Sequence, residues 1–159
     1  MKLVRCLQEY CERHQLIKKA DTLIAGVSGG KDSVTLLHLL LQLRTAFGLN
    51  VLVAHFNHQL RASATRDELF VKNLAQAYGL NCYTAKRTTL KKKGSLEEMA
   101  RLARFNFFIK LAKKHKANAV VLAHTRDDLA ETVLMRLIRG GGTKGLGAIK
   151  PKQLIQNTL

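Results

Sequence analysis

Short apolar runs alternate along the chain with longer segments whose apolar positions suit helices. Four runs are apolar at most positions and have the length of buried strands. These strands are predicted at residues 22–27, 50–58, 81–87 and 118–125, and helices at residues 34–43, 66–80, 95–116 and 127–140. An amphipathic helix with charges throughout is also predicted at residues 1–17.

This alternation of strand and helix indicates an α/β fold built on an open parallel sheet. Right-handed crossovers then place helices on both faces of the sheet. Gly48 and Gly79 mark helix ends, and Ser95 followed by Glu97 and Glu98 marks a helix start. The chain has 159 residues, the size of one domain.

The hexapeptide Ser-Gly-Gly-Lys-Asp-Ser, residues 28–33, separates the first predicted strand from its helix. Gly29 and Gly30 allow the backbone to approach a ligand closely, and the start of the helix favours an anion. The turn therefore predicts a phosphate or pyrophosphate site. It is not a GxxxxGK nucleotide loop, because Lys31 precedes Asp32 without the required spacer. A tight turn in which Asp32 or Ser33 only caps the helix is the alternative.

Three of the predicted strands end in or are followed directly by polar residues, at the edge where the carboxyl ends of a parallel sheet lie together. They are Ser28 to Ser33, then His55, Asn57, His58 and Arg61, and finally His124, Thr125, Asp127, Asp128 and Glu131. Carboxylates beside phosphates need a cation between them, so we expect Mg²⁺ to bridge Asp32, Asp128 and phosphate oxygens. Helix-dipole stabilisation by Asp127 and Asp128, and core-edge roles for His55 and His124, are the alternatives.

The charge distribution suggests a polyanionic partner. Lys and Arg number 27 against 11 Asp and Glu, which gives a net charge of +16. Two basic segments, one containing Lys91, Lys92 and Lys93 and one at residues 136–152, contain no acid. Nucleic acid is favoured over a membrane surface because the lysine-rich segment lacks the interleaved large apolar residues of an interfacial helix. A solvated basic face is the structural alternative.

Three cysteines without a CxxC pair indicate neither a disulfide framework nor a zinc or iron–sulfur site. The charged first segment does not look like a signal peptide, and no apolar run reaches membrane-spanning length. We therefore expect a cytoplasmic protein.

Four segments carry a family resemblance. The loop resembles the SGGxDS signature of the N-type ATP pyrophosphatases, the PP-loop superfamily. The segments AHFNHQLRASATRDELFV, LEEMARLARFNFF and LAHTRDDLAETVLMRLIRGGGTKGL resemble, in order and spacing, further motifs of the tRNA(Ile)-lysidine synthetases. The match runs from about residue 21 to residue 149. It implies a fold of the adenine nucleotide alpha hydrolase-like (Rossmann-like) type, with a synthetase domain over residues 1–150 and a tail at residues 151–159.

The resemblance implies an ATP-dependent ligase that joins L-lysine to the wobble cytidine of an isoleucine tRNA. Cytosine O2 would attack the α-phosphate of ATP and release pyrophosphate, and the lysine amine would then displace AMP. ATP and Mg²⁺ are the implied cofactors.

The resemblance also implies residue roles. Ser28, Gly29, Gly30, Lys31, Asp32 and Ser33 would hold the pyrophosphate, and Asp32 and Asp128 the metal. His55, Asn57, His58 and Arg61 match the segment beside the nucleotide. Arg101 and Arg104 match a pair assigned to substrate or phosphate, and Arg139, Gly140 and Gly142 match a turn near the tRNA entrance. Independently of the resemblance, a protonated lysine amine must lose a proton before it attacks. Glu131 or a histidine at the same edge, with His124 as the choice, could receive that proton or position the amine.

The sequence departs from the family at a few positions. Gln59 stands where the family usually has Gly, and Leu129 where it usually has Gln. The family generally continues beyond this domain, into segments that help to hold the tRNA. A tRNA 2-thiocytidine synthetase is one alternative function, although that chemistry normally needs CxxC pairs. A noncatalytic ATP- or RNA-binding module is another.

Overall fold

The computed structural model describes residues 2–59, 64–86, 96–125 and 127–131. The chain forms two compact units, one of residues 18–123 and one that joins residues 1–17 to the described residues after 123. The second unit contains helix α1 (Lys2–Arg13) and a short helical stretch at residues 127–131.

The larger unit alternates strands and helices as the hydrophobic pattern predicts. In chain order its elements are β1 (Thr22–Gly26), α2 (Lys31–Phe47), β2 (Asn50–Asn57), α3 (Ala64–Ala77), β3 (Cys82–Lys86), α4 (Leu96–His115) and β4 (Ala119–Leu122). Helix α2 starts three residues before its predicted start, because its first turn is the polar end of the loop. Gly48 ends α2 in a left-handed conformation, with φ +63°, which confirms its predicted role.

The four strands form one parallel sheet in the order β3-β2-β1-β4. The sheet therefore grows to one side of β1 through β2 and β3, and the chain then returns to the other side of β1 with β4. Such a reversal creates a switch point at the carboxyl ends of the two strands that flank it, where open α/β sheets bind their ligands. Here those strands are β1 and β4.

Helices cover both faces of the sheet, as predicted. Phe108 and Leu111 of α4 pack on one face against Ile24, Leu52 and Ala54. Helices α2 and α3 contact the strands as well. Because the strand order reverses after β3, right-handed crossovers place these two helices on the face opposite α4. Leu37, Leu40 and Leu43 of α2 and Val71 of α3 are fully buried. None of the described helices is long and apolar enough to cross a membrane.

Candidate active site

The loop that follows β1 lies at the switch point of the sheet. The Val27 N–H donates to the carbonyl of Ala54, so the β1–β2 ladder continues to the residue that directly precedes the loop. Gly29 has φ +95°, a conformation that side chains rarely adopt and that favours glycine. The end of β1 packs closely against β4, because a methyl group added at Gly26 would collide with the Leu122 side chain of β4.

Hydrogen bonds between its two serines close this loop. The Ser33 hydroxyl donates to the Gly30 carbonyl at 2.8 Å, and the Ser28 N–H donates to the Ser33 hydroxyl at 3.2 Å. The two hydroxyls lie 3.1 Å apart. Ser33 is buried and therefore fixes the loop conformation from the inside.

The first turn of α2 has no side-chain cap. Its N-cap residue is Gly30, whose own N–H donates to the Ser28 hydroxyl at 3.4 Å. Within the described residues, no side chain caps the N–H groups that follow it. Lys31 and Asp32 are exposed, and Asp32 has no hydrogen bond or ion pair within the described residues. This geometry does not support the alternative in which Asp32 or Ser33 only caps the helix. The unpaired N–H groups and the positive end of the helix dipole instead suit an anion.

His55 holds the loop from the neighbouring strand. Its side chain is only 3% exposed, and its Nδ1 lies 2.8 Å from the Val27 carbonyl oxygen. Because a carbonyl can only accept, Nδ1 carries the proton in this bond. Nε2 is buried and has no hydrogen-bond partner within the described residues. His55 therefore supports the residue that precedes the loop.

Asn57, at the end of β2, belongs to a buried polar network that the sequence did not reveal. Its amide nitrogen donates to the Glu68 carboxylate at 3.0 Å, and its amide oxygen accepts from the Gln59 N–H at 2.9 Å. Lys72 lies 2.7 Å from the same carboxylate. The hydrogen bonds from Lys72 and Asn57 lower the pKa of Glu68 to about 2. His58, the next residue, is half-buried and packs edge-on against the Phe56 ring.

The acidic segment after β4 forms a capping box. Oδ2 of Asp128 accepts hydrogen bonds from the Thr125 N–H at 2.6 Å and from its hydroxyl at 2.9 Å. The Asp128 N–H donates back to the Thr125 hydroxyl at 3.2 Å. These bonds, with a smaller effect from His124, lower the pKa of Asp128. Part of its role is thus to start the helix through hydrogen bonds, whereas the alternative derived from the sequence considered only the helix dipole. His124, Asp127 and Glu131 are exposed.

Arg101 and Arg104 form a cationic pair on α4. Both guanidinium carbons lie 5.6 Å from the centre of the Phe105 ring. Burial lowers the pKa of Arg104, and the charge of Arg101 adds to this effect. The Nε atom of Arg104 is buried without a partner within the described residues. Two adjacent cations in this state are suited to binding an anion.

Several predicted site residues lie outside the described residues. They are Arg61, Lys91, Lys92, Lys93, Arg139, Gly140 and Gly142. Their proposed roles stay predictions, as does the sharing of a metal ion by Asp32 and Asp128.

The side chains of the described residues do not by themselves form a metal site. They hold no group of three or more His, Cys, Asp or Glu side chains arranged to bind a metal ion. The loop nevertheless offers the exposed carboxylate of Asp32 beside backbone N–H groups. This donor set fits a Mg²⁺ ion that takes most of its ligands from phosphates and water.

Comparisons with known proteins agree with this fold and loop. A family model described as a PP-loop domain matches residues 2–158. The chain is 41% identical over 143 residues to a tRNA(Ile)-lysidine synthase of Clostridium tetani, covering 87% of this chain and 31% of that protein. It is 38% identical over 152 residues to a tRNA(Ile)-lysidine synthase of Geobacillus kaustophilus, covering 92% and 33%.

Two further relatives extend the comparison. A bifunctional TilS/HprT protein of Listeria monocytogenes is 40% identical over 152 residues, covering 92% of this chain and 23% of that protein. Among solved structures, the U34-tRNA thiolase NcsA from Methanococcus maripaludis matches with a TM-score of 0.72 and 20% identity, covering 88% of this chain and 53% of that one. At this identity the likeness concerns the fold alone. The chain spans about a third or less of the curated relatives' length.

Proposed function

Because the chain belongs to the PP-loop domain family, we propose that the loop at the switch point binds the phosphates of ATP. We further propose that the protein uses this ATP, with Mg²⁺, to ligate L-lysine to the wobble cytidine of an isoleucine tRNA. The reaction would take place in the cytoplasm.

The observation that carries the proposal is the uncapped start of α2. Gly29 lies at φ +95°, and among the described side chains none caps the N–H groups that follow the N-cap Gly30. A phosphate chain satisfies such groups, whereas an uncharged ligand would not compensate the helix dipole. Asp32, exposed beside them, supplies a carboxylate for the Mg²⁺ ion that neutralises phosphate charge.

The choice of tRNA and lysine rests on similarity. Relatives named tRNA(Ile)-lysidine synthase align over about nine-tenths of this chain at about 40% identity. The net charge of +16 is consistent with an RNA partner. These two observations support a tRNA-modifying ligase over a noncatalytic module.

The proposed reaction has two steps. Cytosine O2 attacks the α-phosphorus of ATP, the bond to the β-phosphate oxygen breaks, and pyrophosphate leaves. The lysine side-chain amine then attacks C2 of the adenylated base and AMP leaves. Residues 28–33 would hold the departing pyrophosphate, and the Arg101 and Arg104 pair would bind an anionic part of the substrate.

Proton removal is the remaining task of the second step. A lysine side chain has a pKa near about 10.4, so its amine is protonated at neutral pH and cannot attack. His124 and Glu131 are both exposed on the described segment after β4. We propose His124 as the group that receives the proton or positions the amine.

Exchange of labelled pyrophosphate into ATP tests the first step. We expect exchange with an isoleucine tRNA that carries cytidine at the wobble position, and none with a transcript that carries uridine there. Glu9→Gln, which removes only an exposed ion pair with Arg5, serves as the control variant and should exchange normally. Equal exchange with both transcripts would contradict activation of the wobble base.

A further inference from the structure

Glu68 is a buried carboxylate that none of the proposed chemical steps uses. It lies in α3 and is 5% exposed. One of its carboxylate oxygens lies 2.7 Å from the Lys72 ammonium, and the other lies 3.7 Å from that of Lys86 and 3.0 Å from the amide nitrogen of Asn57. A buried ion pair is often no more stabilising than an apolar replacement, so this arrangement calls for a reason other than stability alone.

The Glu68 carboxylate and the Ala64 carbonyl together determine which way the Asn57 amide points. An ionised carboxylate only accepts hydrogen bonds, so the NH₂ group of Asn57 must face Glu68. That NH₂ group also donates to the Ala64 carbonyl at 3.1 Å. The amide oxygen of Asn57 therefore points the other way, where it accepts from the Gln59 N–H at 2.9 Å.

Gln59 needs this support because of its backbone conformation. Its φ is +54°, in the left-handed region that favours glycine and that other residues adopt at a cost. An Asn side chain that accepts from the N–H two residues later stabilises such a turn. The bond from Asn57 thus compensates for a residue that is not glycine.

The same helix also contacts the phosphate loop. A methyl group added at Gly29 would touch Asp67 at 3.5 Å and Val71 at 3.7 Å. The turn of α3 that carries Glu68 therefore lies against the loop on one side and holds the end of β2 on the other. Glu68 is placed to set the position of the β2 turn relative to the loop.

We propose that Glu68 is a positioning residue, which acts through Asn57 to hold the turn at His58 and Gln59 in the geometry required for ATP. The inference rests on the proposed ATP site. It predicts that a glycine at position 59 makes the network dispensable, because glycine adopts the left-handed conformation without help.

The test compares Glu68→Gln, Asn57→Ala and Gln59→Gly with the two double variants that contain Gln59→Gly. The pyrophosphate exchange of the holoprotein is followed as a function of ATP concentration. We expect Glu68→Gln and Asn57→Ala to lower kcat/KM for ATP by about tenfold or more, mainly through KM. Adding Gln59→Gly should restore most of the loss. Asn57→Ala leaves the Glu68–Lys72 ion pair intact. It therefore tests the contact from Asn57 to Gln59 even if Glu68→Gln fails to fold.

Amide hydrogen exchange at Gln59, measured by NMR without ATP or tRNA, separates this inference from the proposed function. The Gln59 N–H should be protected in the wild type and lose that protection in Asn57→Ala and in Glu68→Gln. Protection that survives Glu68→Gln, or a kcat/KM defect that Gln59→Gly does not rescue, would overturn the positioning role. If the wild type shows no pyrophosphate exchange, the proposed function fails, while the amide measurement still decides whether Glu68 holds the turn.

Discussion

Replacing Glu68 by Gln should remove a part of the free energy of unfolding that depends on pH. The hydrogen bonds from Lys72 and Asn57 lower the pKa of Glu68 from 4.5 to about 2 in the folded protein. Since the folded pKa lies below the unfolded one, this contribution is fully present above about pH 4.5. It is lost as the pH falls towards about 2.

The lowered pKa sets the size of the effect. Each pKa unit corresponds to about 1.4 kcal/mol, so the ionised carboxylate contributes about 3 kcal/mol at neutral pH. Integration over the titration gives a loss of about 1.4 kcal/mol between neutral pH and about pH 3.5. The side chain of Glu68 is only 6% exposed, but the side chains of Lys72 and Lys86 are 47% and 55% exposed. Solvent screening of these two ammonium groups makes both figures upper limits.

Urea unfolding at several pH values measures this contribution. The difference in unfolding free energy between wild type and Glu68→Gln should shrink by up to about 1.4 kcal/mol from neutral pH to about pH 3.5. Glu9→Gln is the matched control, because Glu9 pairs with Arg5 at the same spacing but is 55% exposed. It should cost at most about 1 kcal/mol. A Glu68→Gln effect that does not change with pH, or that equals the Glu9→Gln effect, would refute the reasoning.

Three further predictions concern the proposed function. ATP with Mg²⁺ should raise the melting temperature of the wild type, and Asp32→Asn should remove most of this shift because a neutral amide cannot offset metal charge; equal shifts in both would show that Asp32 holds no metal. RNA affinity should fall steeply with salt, by roughly 0.7 to 0.9 log units per log unit of salt for each neutralised phosphate, and replacing residues 91–93 together by Ala should flatten the slope; an unchanged slope would place the RNA elsewhere. His124→Ala should keep more pyrophosphate exchange than lysine incorporation, and an equal loss of both would remove His124 from lysine transfer.

The strand and helix pattern could be predicted because it depends on local sequence. The apolar runs around Ile24 and Val53 have the composition of strands buried on both faces, and both residues are fully buried. Helix ends were less predictable. Helix α2 begins at Lys31, before its apolar pattern starts, because the N-cap Gly30 fixes the turn.

The contacts of individual polar residues are harder to predict from the sequence than the strands and helices are. Glu68 looks like an ordinary polar position of an amphipathic helix, and only the packing of α3 on β2 brings it to Asn57. Similarly, the sequence left open whether His55 binds nucleotide or lies at the core edge. Its burial and its bond to the Val27 carbonyl follow from the register of β1 and β2.

The structure shows the consequence of one departure from the family pattern. Gln59, where the resembled family usually has Gly, occupies a left-handed conformation. The sequence alone identified the substitution but not its consequence, because φ is set by the turn and by Asn57. The contact of Asp128, in contrast, is local in sequence. Its spacing of three residues from Thr125 fits a capping box, and the structure contains one.

The most direct test of the account is lysine transfer to tRNA. The protein in its complete form is incubated with ATP, Mg²⁺, labelled lysine and an isoleucine tRNA transcript that carries cytidine at the wobble position, and the nucleosides are then analysed by mass spectrometry. We expect a cytidine that has gained one lysine less one water, with one AMP formed for each modified tRNA. Asp32→Asn should abolish it. Formation of AMP without incorporation of lysine, or lysine attached equally to a transcript with uridine at that position, would contradict it.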